Sequence, residues 1–194
     1  MRQKKIKEAT IENILELGVW IEPKSLPYKD QDIFMEIGSG KGQFITSLAK
    51  ANPNRQFVAV EKEQNVCYRL AQKRAEMQLD NLIVIMDDAE NLKEYFSEAK
   101  ASVIHLNFSD PWPKARHHKR RLTYMTKLEL YKTLLAKDGK VILRTDHLDL
   151  FNDSMEYFVE ANYVIINSDL NLPESEFMTE YEVKKRKNGP IYQL

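Results

Sequence analysis

At 194 residues, with 43% apolar and 30% charged side chains, the chain has room for one domain with a self-sufficient core and the composition of a soluble globular protein. Its 29 Lys and Arg balance 29 Asp and Glu, which argues against an indiscriminate polyanion binder. No apolar run nears the ~20 residues of a bilayer span, no signal-peptide core follows the basic start, and the single Cys67 excludes an internal disulfide, so a cytoplasmic setting and no membrane are expected.

Residues 1–30 read as a polar, partly mobile N-terminal arm with one short helical stretch near Ile11 to Leu17, and residues 31–194 as the folded domain. Ile33 to Ile37 forms a strand, Gly38 to Gly42 a tight turn, and Phe44, Ile45, Leu48 and Ala49 one face of a helix that Asn52-Pro53-Asn54 ends. Phe57 to Val60 is the second strand, stopping at Glu61. The next helix places Val66, Leu70 and Met77 on one face and Cys67, Ala71 and Ala75 on another, so Cys67 is expected to be a small core residue. Leu82 to Met86 is the third strand, residues 90–99 are helical, and residues 102–108 are the fourth strand. A helix around Leu128 to Leu135 precedes a fifth strand, Lys140 to Arg144. An amphipathic helix through Leu150, Ser154 and Phe158 then leads to two late strands, 163–166 and 191–194. Strands alternating with helices predict a mostly parallel sheet covered by helices on both faces, with ligands at the carboxyl ends of the strands.

That edge would collect the glycine turn, Glu61, Asp88, Asp110 and Asp146. Any single acid can be a helix cap; together they suggest a site. Gly38, Gly40 and Gly42 let the backbone turn sharply and approach a ligand. The spacing is GxGxG rather than the dinucleotide GxGxxG, and Glu36 stands two residues before the first glycine. A carboxylate there repels a pyrophosphate and suits an ammonium group, while Glu61 can accept from both ribose hydroxyls. S-adenosylmethionine, an adenosine bearing an amino acid, carries these groups.

The densest signal is Ser109-Asp110-Pro111-Trp112-Pro113-Lys114 running into Arg116-His117-His118-Lys119-Arg120-Arg121, with five Lys or Arg and no acid between 114 and 121. A carboxylate at a strand end, stiff prolines and then cations look like a reaction site opening onto a polyanion. Lys184 to Lys187 either extends the cationic surface or is a solvated turn. Glu36 to Gly42, Ser109 to Lys114, Arg144-Thr145-Asp146 and Thr179-Glu180-Tyr181-Glu182 together resemble the bacterial tRNA (guanine-N7-)-methyltransferases, from about residue 30 to the end of the chain.

The resemblance implies a Rossmann-like class I methyltransferase fold with a seven-stranded sheet and a product of 7-methylguanosine in the tRNA variable region, at position 46. It implies that Glu36, Glu61, Asp88 and Asp110 contact S-adenosylmethionine, beside Gly38 and Gly40. Lys114, Asp146, Thr179, Glu180, Tyr181 and Glu182 would contact the substrate, and Arg116, His117, His118, Lys119, Arg120 and Arg121 the RNA. Asp110 matches the catalytic position. The partner is tRNA, with no obligate protein partner and a monomeric or homodimeric state.

Guanine N7 has an in-plane lone pair and no proton, so the reaction requires no general base, and Asp110 and Asp146 are expected to orient the base and stabilise its developing positive charge. Trp112 either stacks on a base or packs under its loop. His117 and His118 lack companions for a metal set, and no metal is expected. Two other readings stay open here: a methyltransferase acting on an exocyclic amine, and an RNA-binding module without catalysis. A nicotinamide oxidoreductase fits poorly because the glycine spacing is wrong.

Overall fold

The computed structural model describes residues 6–27, 32–96 and 98–194. Five parallel strands, β1 (Ile33–Ile37), β2 (Gln56–Val60), β3 (Leu82–Ile85), β4 (Ala101–Asn107) and β5 (Leu135–Thr145), and an antiparallel β6 (Tyr192–Gln193) make one sheet in the order β3-β2-β1-β4-β5-β6. The central strands carry apolar residues on both faces because both faces are covered, with Glu36 in β1 and His105 and Asn107 in β4 as buried polar exceptions. Neighbours on β2 alternate: Val58 and Val60 face one core with Met35 and Ile104, while Phe57 and Ala59 face the other with Val84.

Helices α2 (Gln43–Ala51) and α3 (Gln64–Glu76) cover the second of these faces through Phe44, Ile45, Cys67 and Leu70. On the first, α4 (Met125–Leu134) supplies Leu128, Tyr131 and Leu134, α5 (Leu148–Glu160) supplies Phe158, and a 3₁₀ turn (Ala89–Glu94) supplies Leu92. Cys67 is buried as expected, and burial pushes its thiol up to about 12.

One expectation changes. The seventh strand does not form: residues 163–168 are irregular, Val164 and Ile166 are 84% and 70% exposed, and on that side of β6 the described residues supply the bridge from Asp169 to Gln193 and a Leu172 N–H donating to the Ile191 carbonyl at 2.7 Å. The alternating apolar pattern is present, but a two-residue β6 offers it almost no ladder.

The described part of the arm packs on the body. Its helix α1 (Ile11–Glu16) is capped by Thr10 and buries Ile14, and Val19 joins the same core. The Trp20 N–H donates to the Val84 carbonyl at 2.9 Å and its carbonyl accepts from Met86 N–H at 2.8 Å, extending the sheet beyond β3. The apolar residues here are too irregularly spaced to give a period, so only the β3 edge reveals their role. Residues 1–5 and 28–30 of the expected arm lie outside the described residues.

Candidate active site

The order in which successive strands join the sheet reverses between the parallel β1 and β4, which is the place where such folds open a crevice at the carboxyl ends of their strands. A cavity of about 530 Å³ lies there, bounded by Glu36, the glycine turn, Glu61, Asn107, Phe108 and Asp110, and on the far side by Thr179, Glu180, Tyr181 and Lys184. Its size is that of a small-molecule site.

The floor is built from backbone. Gly42 has φ +77° at the start of α2, and a Cβ there would stand 2.1 Å from Leu70 Cδ1, so only glycine lets α3 pack beneath the turn. Gly40, at φ +56°, donates its N–H to Glu61 Oε2 at 2.9 Å, while Glu61 Oε1 accepts from Glu63 N–H at 2.9 Å. Burial raises the Glu61 pKa, opposed by these amides. Glu61 thus shapes the turn and keeps a further lone pair on each oxygen for a ligand.

Glu36 is only 1% exposed. Its Oε1 accepts from Asn107 Nδ2 at 2.7 Å, and its Oε2 has no partner. Burial pushes this carboxyl up to about 8, with Asn107 opposing the shift and the charge of Glu61 adding to it. A buried carboxylate oxygen without a donor requires one, and a ligand ammonium is a donor that also supplies the missing charge. The adjacent His105 is buried too, edge-on to Phe44 at 4.9 Å, and burial together with the charge of Arg144 holds its pKa down at about 3. It is therefore neutral and does not border the cavity.

Asp110 is exposed at the mouth, between two non-glycine residues with left-handed backbone, Phe108 (φ +53°) and Trp112 (φ +41°). Such residues cost about 1–3 kcal/mol each and persist only where surrounding contacts hold them. Phe108 N–H donates to the Arg144 carbonyl at 2.8 Å, and its ring packs on Tyr181 with centroids 5.2 Å apart. The Pro111 carbonyl accepts from Arg121 Nε at 2.7 Å. A charge-assisted bond contributes about 1.5–3 kcal/mol, the same order as the strain.

Beyond this loop, Ala115–Arg120 forms a 3₁₀ turn. Lys114, Arg116, Lys119 and Arg120 are exposed. Trp112 packs within its own segment, under Arg120 at 4.9 Å and against the edge of His117 at 5.9 Å. Two residues depart from the expected RNA-contact set. Arg121 is 2% exposed and ion-paired with Asp153 at 2.5 Å, and His118 lies between Arg121 and Tyr157. The chain becomes extended after the 3₁₀ turn, which carries Arg121 back beneath the loop.

Thr179 caps α6 (Glu180–Lys185) by accepting from Glu182 N–H at 2.9 Å. Glu180 and Tyr181 face the cavity, with Lys41 reaching Glu180 across the mouth at 3.9 Å. Glu182 instead is fully buried, paired with Arg186 at 2.6 Å and Arg144 at 3.6 Å. Asp146 sits outside the cavity wall and is held by Lys185 at 2.7 Å. Asp88 caps the turn after β3 and meets Lys62 at 3.3 Å; burial would raise its pKa, but the Glu90 N–H and the two lysines Lys62 and Lys127 outweigh it and lower it. Lys114 also stands outside the wall.

The cavity therefore gathers Glu36, Gly38, Gly40, Glu61, Asp110, Thr179, Glu180 and Tyr181, and leaves Asp88, Lys114, Asp146 and Glu182 outside. Sequence reasoning missed Asn107 and Phe108. The signal for Asn107 was a polar residue ending an otherwise apolar strand. The Lys184 to Lys187 run begins in the last turn of α6 and passes into a turn at Arg186, with Arg186 tied to Glu182 and Lys184 and Lys187 exposed. Among the described residues no three His, Cys, Asp or Glu gather as a metal cluster, and no helix is long and apolar enough to cross a membrane.

Residues 30–194 match a family model described as "Putative methyltransferase". A tRNA (guanine-N(7)-)-methyltransferase of Staphylococcus epidermidis is 47% identical over 171 residues, covering 86% of this chain and 80% of that protein. The protein of the same name from Macrococcus caseolyticus is 44% identical over 163 residues, covering 82% and 78%. Among solved structures, the 16S rRNA methyltransferase KamB superposes with a TM-score of 0.64 at 15% identity, covering 98% of this chain and 94% of that one. An antibiotic-related methyltransferase also has a TM-score of 0.64, at 14% identity, covering 99% and 94%. These likenesses at low identity speak to the Rossmann-like fold.

Proposed function

This chain belongs to the tRNA (guanine-N7-)-methyltransferase family, and from that premise we propose that the cavity between β1 and β4 serves the methylation of guanine N7 in the variable region of tRNA. The observation that carries the site assignment is the unpartnered Oε2 of buried Glu36, at the floor of a cavity whose mouth holds Asp110.

S-adenosylmethionine supplies a methyl group on a sulfonium, which is an electrophile needing no further activation. Glu36, oriented by Asn107, receives the amino-acid ammonium, and Glu61 accepts from the ribose hydroxyls while keeping the glycine turn in place. Asp110 faces the guanine. N7 attacks through its own lone pair, so Asp110 removes no proton; it holds the base in line and offsets the positive charge that N7 methylation creates. Glu180 and Tyr181 wall the other side of the base-binding mouth. Exposed Lys114, Arg116, Lys119 and Arg120 hold the tRNA backbone. The enzyme acts where tRNA is, in the cytoplasm, without a further protein subunit.

The test is to incubate the chain with unmodified tRNA and methyl-labelled S-adenosylmethionine, then digest and identify the labelled nucleoside. Label in 7-methylguanosine, lost in Asp110→Asn with cofactor binding intact, is expected. Label in any other nucleoside overturns the target.

A further inference from the structure

Arg121 heads the fully buried side chains by size, although it lies in the most cationic stretch of the sequence. A guanidinium leaves water only where its donors are met. Here all three nitrogens are engaged. Nε donates to the Pro111 carbonyl at 2.7 Å, one terminal nitrogen to Asp153 Oδ2 at 2.5 Å, and the other to His118 Nε2 at 3.0 Å. Since Arg121 can only donate, His118 accepts on Nε2 and presents Nδ1–H towards Tyr157 Oη at 3.3 Å. A second buried contact, Thr123 to Ser154 at 2.7 Å, ties the same segment to α5.

The carbonyl that Arg121 grips belongs to the residue directly after Asp110, and the next residue is Trp112, with φ +41°. A turn that holds a tryptophan in the left-handed region needs an external restraint, and among the described residues Arg121 is the side chain that donates to the Pro111 carbonyl.

We propose that Arg121 and Asp153 are positioning residues: Asp153 orients the Arg121 fork, and Arg121 clamps the Pro111 carbonyl so that Asp110 is held at the cavity mouth, with no part in binding tRNA phosphates. What the clamp is for rests on the function proposed above; that the clamp exists does not. A lysine in place of Arg121 keeps the charge and loses the three-way fork.

The test uses the full chain carrying Trp20→Phe, which leaves Trp112 as its only tryptophan out of two. Arg121→Lys and Asp153→Asn are compared with Lys119→Ala. Arg121→Lys should lower kcat by about 30- to 100-fold, since a displacement of about 1 Å near the chemistry has that effect. Cofactor affinity and the salt slope of tRNA binding should stay as in the parent, while acrylamide quenching of Trp112 rises. Asp153→Asn should move the same readouts in the same direction by less, and it decides the matter if Arg121→Lys does not fold. Lys119→Ala should show the opposite pattern: a smaller salt slope with quenching unchanged. Unchanged quenching in the Arg121 and Asp153 variants, with or without weaker tRNA binding, overturns the clamp. If the parent forms no 7-methylguanosine, the functional reading fails, and quenching still decides the clamp.

Discussion

Asn107 donates from its side-chain amide to Glu36 Oε1 at 2.7 Å, tying the end of β4 to the end of β1 at the floor of the cavity. The bond satisfies one oxygen of a buried carboxylate and leaves the other open. It gives Glu36 a fixed direction and opposes the upward shift that burial imposes on this acid.

Glu36 carries its proton up to about pH 8 in the folded chain, against an ordinary value of 4.5. Between those values the native state holds a proton that the unfolded chain has lost. Its stabilising effect is therefore full below the lower value and is lost as pH rises through the upper one. Glu36→Gln, which mimics the protonated acid, should flatten this loss when melting temperature is followed from about pH 5 to about pH 8. The same variant should weaken cofactor binding by about 2–5 kcal/mol, as expected when a buried charge loses its partner. Calorimetry in buffers of different ionisation enthalpy should show proton release on cofactor binding near neutral pH, and none for Glu36→Gln.

Gly42→Ala places a Cβ 2.1 Å from Leu70 Cδ1 in a backbone at φ +77°. Overpacking together with left-handed strain should cost about 1–3 kcal/mol, read by denaturant unfolding, and cofactor affinity should fall as α3 shifts under the turn.

Glu182 is buried between Arg186 and Arg144. Glu182→Ala leaves two guanidinium groups facing each other's charge and should cost about 3–5 kcal/mol of stability. Because α6 carries Tyr181 and Glu180, cofactor binding at the Glu36 end should survive while KM for tRNA rises. Equilibrium unfolding and steady-state kinetics separate the two effects.

Arg116 and Lys119 are exposed, so each should act through phosphate alone. Arg116→Ala and Lys119→Ala should each reduce the log–log salt slope of tRNA binding by about one, with little change in kcat at saturating tRNA.

Much of this protein was legible one residue at a time. Apolar runs bounded by Gly, Pro and Asp mark strands because a doubly covered parallel strand has no polar face. The glycine turn, Glu36, Glu61 and Asp110 fall where the strands end, and short-range backbone chemistry determines each of them.

What the tertiary structure decided are the partners. Arg121 and Arg116 look alike in a cationic run, yet Asp153, 32 positions later, draws one of them inward. Glu182 and Glu180 stand two residues apart and face opposite ways, because two residues rotate a helix by roughly half a turn, from the cavity to a buried arginine pair. Residues 163–166 have the pattern of a strand and lack a neighbour long enough to pair with. Local sequence sets backbone preference and side-chain chemistry, whereas burial and charge pairing depend on which distant segment folds against them.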